Sequence, residues 1–405
     1  DNKGHILTCS HVVENSKVVY IEIPTLGDSK IQVEVISICP ELDIALLKTV
    51  NFKNSDFFEL HEPKKIYNIK PGIDVYAVGF PLGQDNIKFT KGILSGREKS
   101  LIQTDAPINP GNSGGPLLLD NKVIGINSSG VFLANNIGYA VPIEYFYLIK
   151  NELYSKGNSK IVRMPYLGLL FHNTNDELLK REKCLCKTGV YVKSIFKNSP
   201  IEKSGIKSND ILCSINGVKI DNFGLFDKIW FNEKMKINDL LKTIKKNETV
   251  SLEFCKKGKL YKKNFKFSDF QLTINKKYPI YENYKLDFFV FGGFVATELT
   301  MNLLDKILNR ISHSLVSQKN KNSDKNNKHF SNILKYFNEE NRIHKKVIIT
   351  HIFPNSLLDN LNILKEFDII DYVNNVSIKD INTFKKAIVK NGNYIEIITE
   401  TNNKV

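Results

Sequence analysis

Two stretches of this chain repeat one another. Val190–Ser199 (VYVKSIFKNS) matches Val347–Ser356 (VIITHIFPNS), and Asp210–Ile220 (DILCSINGVKI) matches Asp368–Ile378 (DIIDYVNNVSI). The offset is 157 in the first pair and 158 in the second, so one residue is inserted between them. Each copy reads as strand, turn, short helix, strand, tight turn, strand. Asn216-Gly217 and Asn374-Asn375 supply the positive φ that the tight turn prefers. A stacked array needs more units than two, so the pattern predicts a small domain present twice. The polar tract Ser317–Lys328 (SQKNKNSDKNNK) falls inside the second copy, and a disordered insert is expected near 317–329.

The remaining N-terminal part has a different rhythm. Short apolar runs recur at 18–23, 31–37, 44–48, 74–80, 88–95, 123–126 and 137–141, separated by turn residues such as Pro71-Gly72, Pro81–Gly83 and Asp120-Asn121. Regular short strands with Gly and Pro punctuation predict an all-β barrel or sandwich. Residues 143–155 then read as a helix with Tyr147, Leu148 and Leu153 as its apolar side chains. The expected domains are 1–155, 156–275 and 276–405.

Composition narrows the classes. A chain of 405 residues with 42% hydrophobic and 25% charged residues suits two to four globular domains. No run reaches the roughly 18 apolar residues of a membrane helix. The chain opens on Asp1 without a leader, so a targeting region would lie upstream; an organelle lumen or a secretory or vacuolar compartment is the expectation. Net charge is +14, and residues 161–290 alone carry +11. The lysines are scattered rather than interleaved with aromatics, which argues for a solvated surface and against a nucleic-acid partner. Six cysteines are too few for a disulfide scaffold. Cys184 and Cys186 lack a second pair at zinc spacing, so no metal site is expected. Cys9 and Cys39 read as two buried thiols rather than a pair. No G-x-x-x-x-G-K-[ST] loop is present, and no cofactor is expected.

The residues 109–116 (NPGNSGGP) carry the chemistry. A serine hydroxyl attacks a carbonyl when a base takes its proton and donors stabilise the oxyanion. Gly111 would let backbone N–H groups converge, and Gly114 and Gly115 would admit a substrate backbone closely. His11 follows an apolar run, as a general base could. Asp43 leads into the apolar run 44–47, as the orienter of an imidazole could. Each alone also fits a turn or a structural role. Together they stand in the order His11, Asp43, Ser113 within one all-β region, the order of the chymotrypsin-type triad and not that of α/β-hydrolases.

With these motifs, 78–83 (VGFPLG), 103–106 (QTDA) and 136–142 (NIGYAVP), the chain resembles the HtrA/Deg serine proteases: a trypsin-like domain followed by PDZ modules. The features of 226–266 and 291–303 look most like the eukaryotic, plant-type Deg branch with an atypical second PDZ. The resemblance implies a mainly β multidomain fold, a chymotrypsin-like double β-barrel followed by two PDZ-like α+β domains. It implies further strands ahead of the His11 motif, so this sequence is expected to be a fragment whose first barrel cannot close. The short loop between Ser95 and Gln103 departs from related proteins.

The activity implied by the resemblance is that of an ATP-independent serine endopeptidase acting on unfolded or damaged proteins in protein quality control. Ser113 would be the nucleophile, His11 the base and Asp43 its orienter. Gly111 and Ser113 N–H would form the oxyanion hole, with Asn112 shaping the loop. Substrate would add as a strand along Asn127, Ser128, Ser129 and Gly130. Tyr166, Leu167, Gly168 and Leu169 would hold a peptide C-terminus or apolar segment at the first PDZ, and Phe291–Phe294 would form the corresponding loop of the second. Assembly into a homo-oligomer, a trimer or hexamer, is expected. The rival reading is a PDZ-based chaperone or scaffold with little proteolysis.

Overall fold

The computed structural model describes residues 1–27, 29–50, 56–63, 69–98, 100–130, 136–155, 160–227, 234–282, 284–317, 332–389 and 394–405. The expected insert near 317–329 lies almost wholly outside them. The chain forms two compact units, residues 1–270 with 280–282, and residues 271–279 with 283–405.

The first unit begins with two sheets. Four strands pair antiparallel in the order His5–Thr8, Ile44–Thr49, Lys30–Cys39, Val19–Glu22. Among the described residues no pairing joins the outer two, and this sheet stays open as expected. The second sheet runs Gly138–Pro142, Leu101–Thr104, Lys88–Glu98, Asp74–Gly79, Pro116–Leu119, Lys122–Gly130, with Glu59–Leu60 at its end. Gly138–Pro142 also pairs with Lys122–Gly130, which closes six strands into a barrel. The strands 101–104 and 116–119 escape a reading by apolar runs: both are only four residues long, and the second sits directly behind the glycine loop.

The two sheets share one core. Ile44, Ala45, Leu46 and Leu47 are all buried, because this strand faces core on both sides. Leu46, Val78, Leu117 and Ile124 from both sheets join one apolar cluster. Burying a side chain of this size contributes roughly 1.5–3 kcal/mol. Helix Ile143–Tyr154 adds Ile143, Phe146, Ile149 and Leu153 to the same cluster, at helical spacing. The buried face is therefore only partly the expected one: Leu153 lies in it, whereas Tyr147 and Leu148 only border it.

Both repeats adopt the predicted order. In the first copy, strand Val190–Ile195, the 3₁₀ turn Ile201–Ser204, strand Ile211–Ile215 and strand Val218–Lys219 follow one another. In the second they are Val347–Ile352, helix Leu357–Leu361, Ile369–Val373 and Val376–Ser377. Positive φ recurs at matched positions: Asn198 and Asn355, Gly205 and Asn362, Asn209 and Phe367, Asn216 and Asn374, Gly217 and Asn375. The inserted residue thus falls between the second and third of these pairs.

The copies differ at one edge. In the first, strand Leu169–His172 pairs with Val190–Ile195 on one side and ends the sheet on the other. In the second, the equivalent strand Phe294–Glu298 pairs with Val347–Ile352 and also with Phe288–Phe291. That extra strand folds back through Gly292-Gly293 and places Phe289 edge-on to Phe384 of helix Ile381–Val389.

Candidate active site

His11 stands on the one-turn helix Ser10–Val13, directly after strand His5–Thr8. Asp43 occupies the turn into strand Ile44–Thr49 at φ 54°, a left-handed position that Asp tolerates better than most residues. The strand pairing Thr8↔Ala45 brings the two together. His11 Nδ1 lies 3.0 Å from Asp43 Oδ1 and 2.9 Å from Oδ2. The His11 backbone N–H donates to Oδ1 at 3.0 Å, and Ser128 Oγ donates to Oδ2 at 2.8 Å. Burial acts to raise the Asp43 carboxyl, but these hydrogen bonds outweigh it and hold the group below its ordinary range. The same bond to Asp43 raises the His11 pKa above its ordinary value, against the opposing effect of partial burial.

Ser113 comes from the closed barrel, between Gly111 and strand Pro116–Leu119. Its hydroxyl donates to the Ser128 carbonyl at 2.7 Å, and among the described residues no hydrogen bond joins it to His11. The loop around it is tied on every side. Leu82 N–H donates to Pro110 O at 2.7 Å and Phe80 N–H to Gly111 O at 3.3 Å. With its carbonyl held by Leu82, the planar Pro110–Gly111 peptide turns its N–H the opposite way. Among the described residues, neither Gly111 N–H nor Ser113 N–H donates to any protein group. Two unspent donors beside a serine are what an oxyanion requires.

The glycines serve the protein itself. Gly111 has φ +99°, and a Cβ there would meet Phe80 O at 2.2 Å. A Cβ on Gly114 would meet Thr8 Oγ1 at 2.1 Å, and one on Gly115 would meet Val78 O at 2.2 Å. The close approach at Gly114 and Gly115 is therefore made by neighbouring strands, a correction to the expectation that they admit substrate. Asn112 is buried beneath the loop and donates to Pro107 O at 3.4 Å, in keeping with a shaping role.

The predicted substrate strand divides. Asn127 is fully buried; its Nδ2 donates to Pro116 O at 3.0 Å and Val78 O at 3.3 Å, so its side chain is structural and faces no substrate. Ladder pairing with strand Pro116–Leu119 stops at Ile126, but the Asn127 N–H still donates to Gly115 O at 2.8 Å and its carbonyl accepts from Gly114 N–H at 2.7 Å, so the Asn127 backbone is closed to substrate as well. Ser129 and Gly130 continue the strand opposite Tyr139 and Gly138. The Ser128 bond to Asp43 lies beyond any reading of local sequence, since 85 residues separate the two.

At the first PDZ loop, Tyr166 stacks with Phe196 and Phe270. Leu167 is buried, and Gly168 is held to glycine twice over, by φ +82° and because a Cβ would lie 2.0 Å from Ser199 Cβ. Among the described residues the Leu167 and Gly168 N–H groups donate to no protein acceptor, and Leu169 opens the free-edged strand. In the second copy Gly293 meets Ser356 in the same manner, at 2.8 Å, so Phe291–Phe294 does hold the matching loop. Cys9 and Cys39 are both free and buried, as expected, and burial raises both thiols. A disulfide joins Cys186 and Cys213, a pairing that the spacing of the cysteines does not announce.

Comparison with known proteins agrees with this geometry. The trypsin-like peptidase domain profile matches residues 1–126 and the PDZ domain profile residues 165–266. A probable periplasmic serine endoprotease DegP-like of Marinomonas sp. is 34% identical over 236 residues, covering 55% of this chain and 48% of that protein. The putative protease Do-like 3, mitochondrial, of Arabidopsis thaliana is 31% identical over 315 residues, 74% of this chain and 54% of the relative. The serine protease Do-like HtrA of Bacillus subtilis is 30% identical over 298 residues, 66% of this chain and 61% of the relative. The chain thus spans about half to three fifths of these relatives. The solved structure of the HtrA-type protease AlgW with decapeptide shares the fold, with a TM-score of 0.52 at 22% identity over 66% of this chain and 79% of that one. A trypsin-like peptidase domain followed by a PDZ domain, with relatives of this kind, makes the chain a member of the HtrA/Deg family of serine proteases.

Proposed function

We propose that the chain is an ATP-independent serine endopeptidase acting on unfolded or damaged proteins. The observation that carries this reading is the Asp43 carboxylate, fixed by three donors and aimed at His11 Nδ1. An imidazole so held keeps its proton on Nδ1 and presents Nε2 as the base. Ser113 leaves the Ser128 carbonyl and turns its hydroxyl toward Nε2. His11 takes the proton as Ser113 Oγ attacks the scissile carbonyl. The oxyanion is received by Gly111 and Ser113 N–H. His11⁺, stabilised by Asp43, then protonates the leaving amine, and water repeats the sequence to free the acyl group. Extended substrate is held by the backbone from Ser128 onward once Ser113 has released the Ser128 carbonyl, and its apolar C-terminal segment by the Tyr166–Leu169 loop.

Digestion of casein by the wild-type chain and by Ser113→Ala tests this. The substitution should lower the rate by about 10⁴-fold or more without changing the circular dichroism spectrum. Comparable cleavage by the alanine variant would refute the assignment.

A further inference from the structure

Four of the chain's six cysteines meet on one side of the first PDZ copy. Cys184 and Cys186 follow helix Asp176–Arg181; Cys213 lies on strand Ile211–Ile215 and Cys255 on strand Thr249–Lys256. Cys186 and Cys213 are bonded to each other. The Cys184 sulfur lies within 4.8 Å of both of theirs. Cys255 is buried against Cys184 and interacts with its thiol. A disulfide explains only two of these four sulfurs. Leu179 and Ile211 pack against the cluster from the inside, and the Cys186 backbone N–H points at the Cys184 sulfur, a donor a bound thiolate could keep.

We propose that, once the Cys186–Cys213 bond is reduced, Cys184, Cys186, Cys213 and Cys255 bind one zinc ion as a closed, structural thiolate site. Tetrahedral zinc with bonds of about 2.3 Å holds its sulfurs about 3.8 Å apart; the sulfurs of Cys184, Cys186 and Cys213 already lie within 4.8 Å of one another, and Cys255, which meets Cys184, would turn in as the fourth ligand. The balance is simple. A dithiol reduces the Cys186–Cys213 bond to two thiols and becomes a cyclic disulfide. Zinc then displaces one proton from each of the four thiols to solvent. The resulting net charge of two minus sits beside basic residues: a Cβ on Gly258 would lie 3.4 Å from Lys183 Cβ, which brings the Lys256–Lys259 turn against Lys183. Spacing alone hides this site because its ligands come from three separate segments. Its two strand ligands, Cys213 and Cys255, lie away from the free edge Leu169–His172, so its role is to hold the fold.

The full chain, reduced with a dithiol, exposed to zinc and desalted, should retain about one zinc per chain. Cobalt(II) in its place should give tetrahedral d–d bands with thiolate-to-metal charge transfer. Cys184→Ser with Cys255→Ser keeps the disulfide pair, so this variant can fold oxidised; after reduction its zinc should fall below about a tenth of the wild-type amount. The double variant also separates this site from Cys9, His11 and Asp43, whose ligand atoms lie within 4.8 Å of one another. Wild-type protein that retains no zinc, an octahedral cobalt spectrum, or equal zinc in the double variant would each overturn the proposal.

Discussion

Asp43 takes a left-handed backbone position and carries three hydrogen bonds, and both facts bear on the pH response. His11 must be neutral to act as a base, and Asp43 raises its pKa. Activity should therefore rise with pH, with a midpoint above the ordinary histidine value of about 6.5. Asp43→Asn should lower kcat by about 10⁴-fold. In a Ser113→Ala background, NMR titration of His11 should show a lower pKa once Asp43→Asn is added; equal values with and without that substitution would remove Asp43 from the orienting role. The stability sign is the reverse of the activity sign. A raised folded-state pKa favours the native protein below about pH 6.5, and that contribution is lost as pH climbs through the folded value. Gly111 supplies a second prediction. Alanine there must move Phe80 O and accept a strained φ, so Gly111→Ala should cost about 10²–10³ in kcat, read against an unchanged circular dichroism spectrum. His11, Asp43 and Ser113 are legible in the sequence because side-chain type and chain order carry the triad. The Ser128 hydrogen bond is not, because no local pattern records a contact between distant turns.

Among the elements, the strand Phe288–Phe291 changes what the second copy can do. Peptide recognition by strand addition needs an unpaired edge, and this strand already covers the one beside Phe294–Glu298. The first copy keeps its edge at Leu169–His172. Calorimetry with an apolar peptide bearing a free C-terminus should find about one PDZ-bound peptide per Ser113→Ala chain, weakened by amidation of that terminus. Two equivalent peptides per chain would contradict a covered edge. The repeat is readable because both copies keep the same asparagine and glycine turns. Phe367 is invisible to such a reading: it holds φ 77° where the first copy has Asn209, and nothing in a phenylalanine announces that conformation. The covering strand is equally hidden, since an aromatic run gives no sign of which edge it joins.

At the scale of the whole molecule, the open four-stranded sheet leaves Val18 and Tyr20 exposed along its edge strand Val19–Glu22, with Phe57 and Phe58 at a cleft of about 760 Å³ that also takes in Ile6, Leu7, Ile21 and Ile23. An apolar cleft beside unpaired edges calls for cover. A homo-oligomer, a trimer or hexamer, is the expected outcome in light scattering, and a monodisperse monomer would refute it. The buried residues carry a further consequence. His11 and Asp43 belong to the open sheet and Ser113 and Ser128 to the closed barrel, yet side chains of both sheets form a single apolar cluster. Neither half can then melt by itself while the other persists. Catalysis and tertiary structure should vanish together along a denaturant titration, with one shared midpoint for peptide hydrolysis and for near-ultraviolet dichroism of this region.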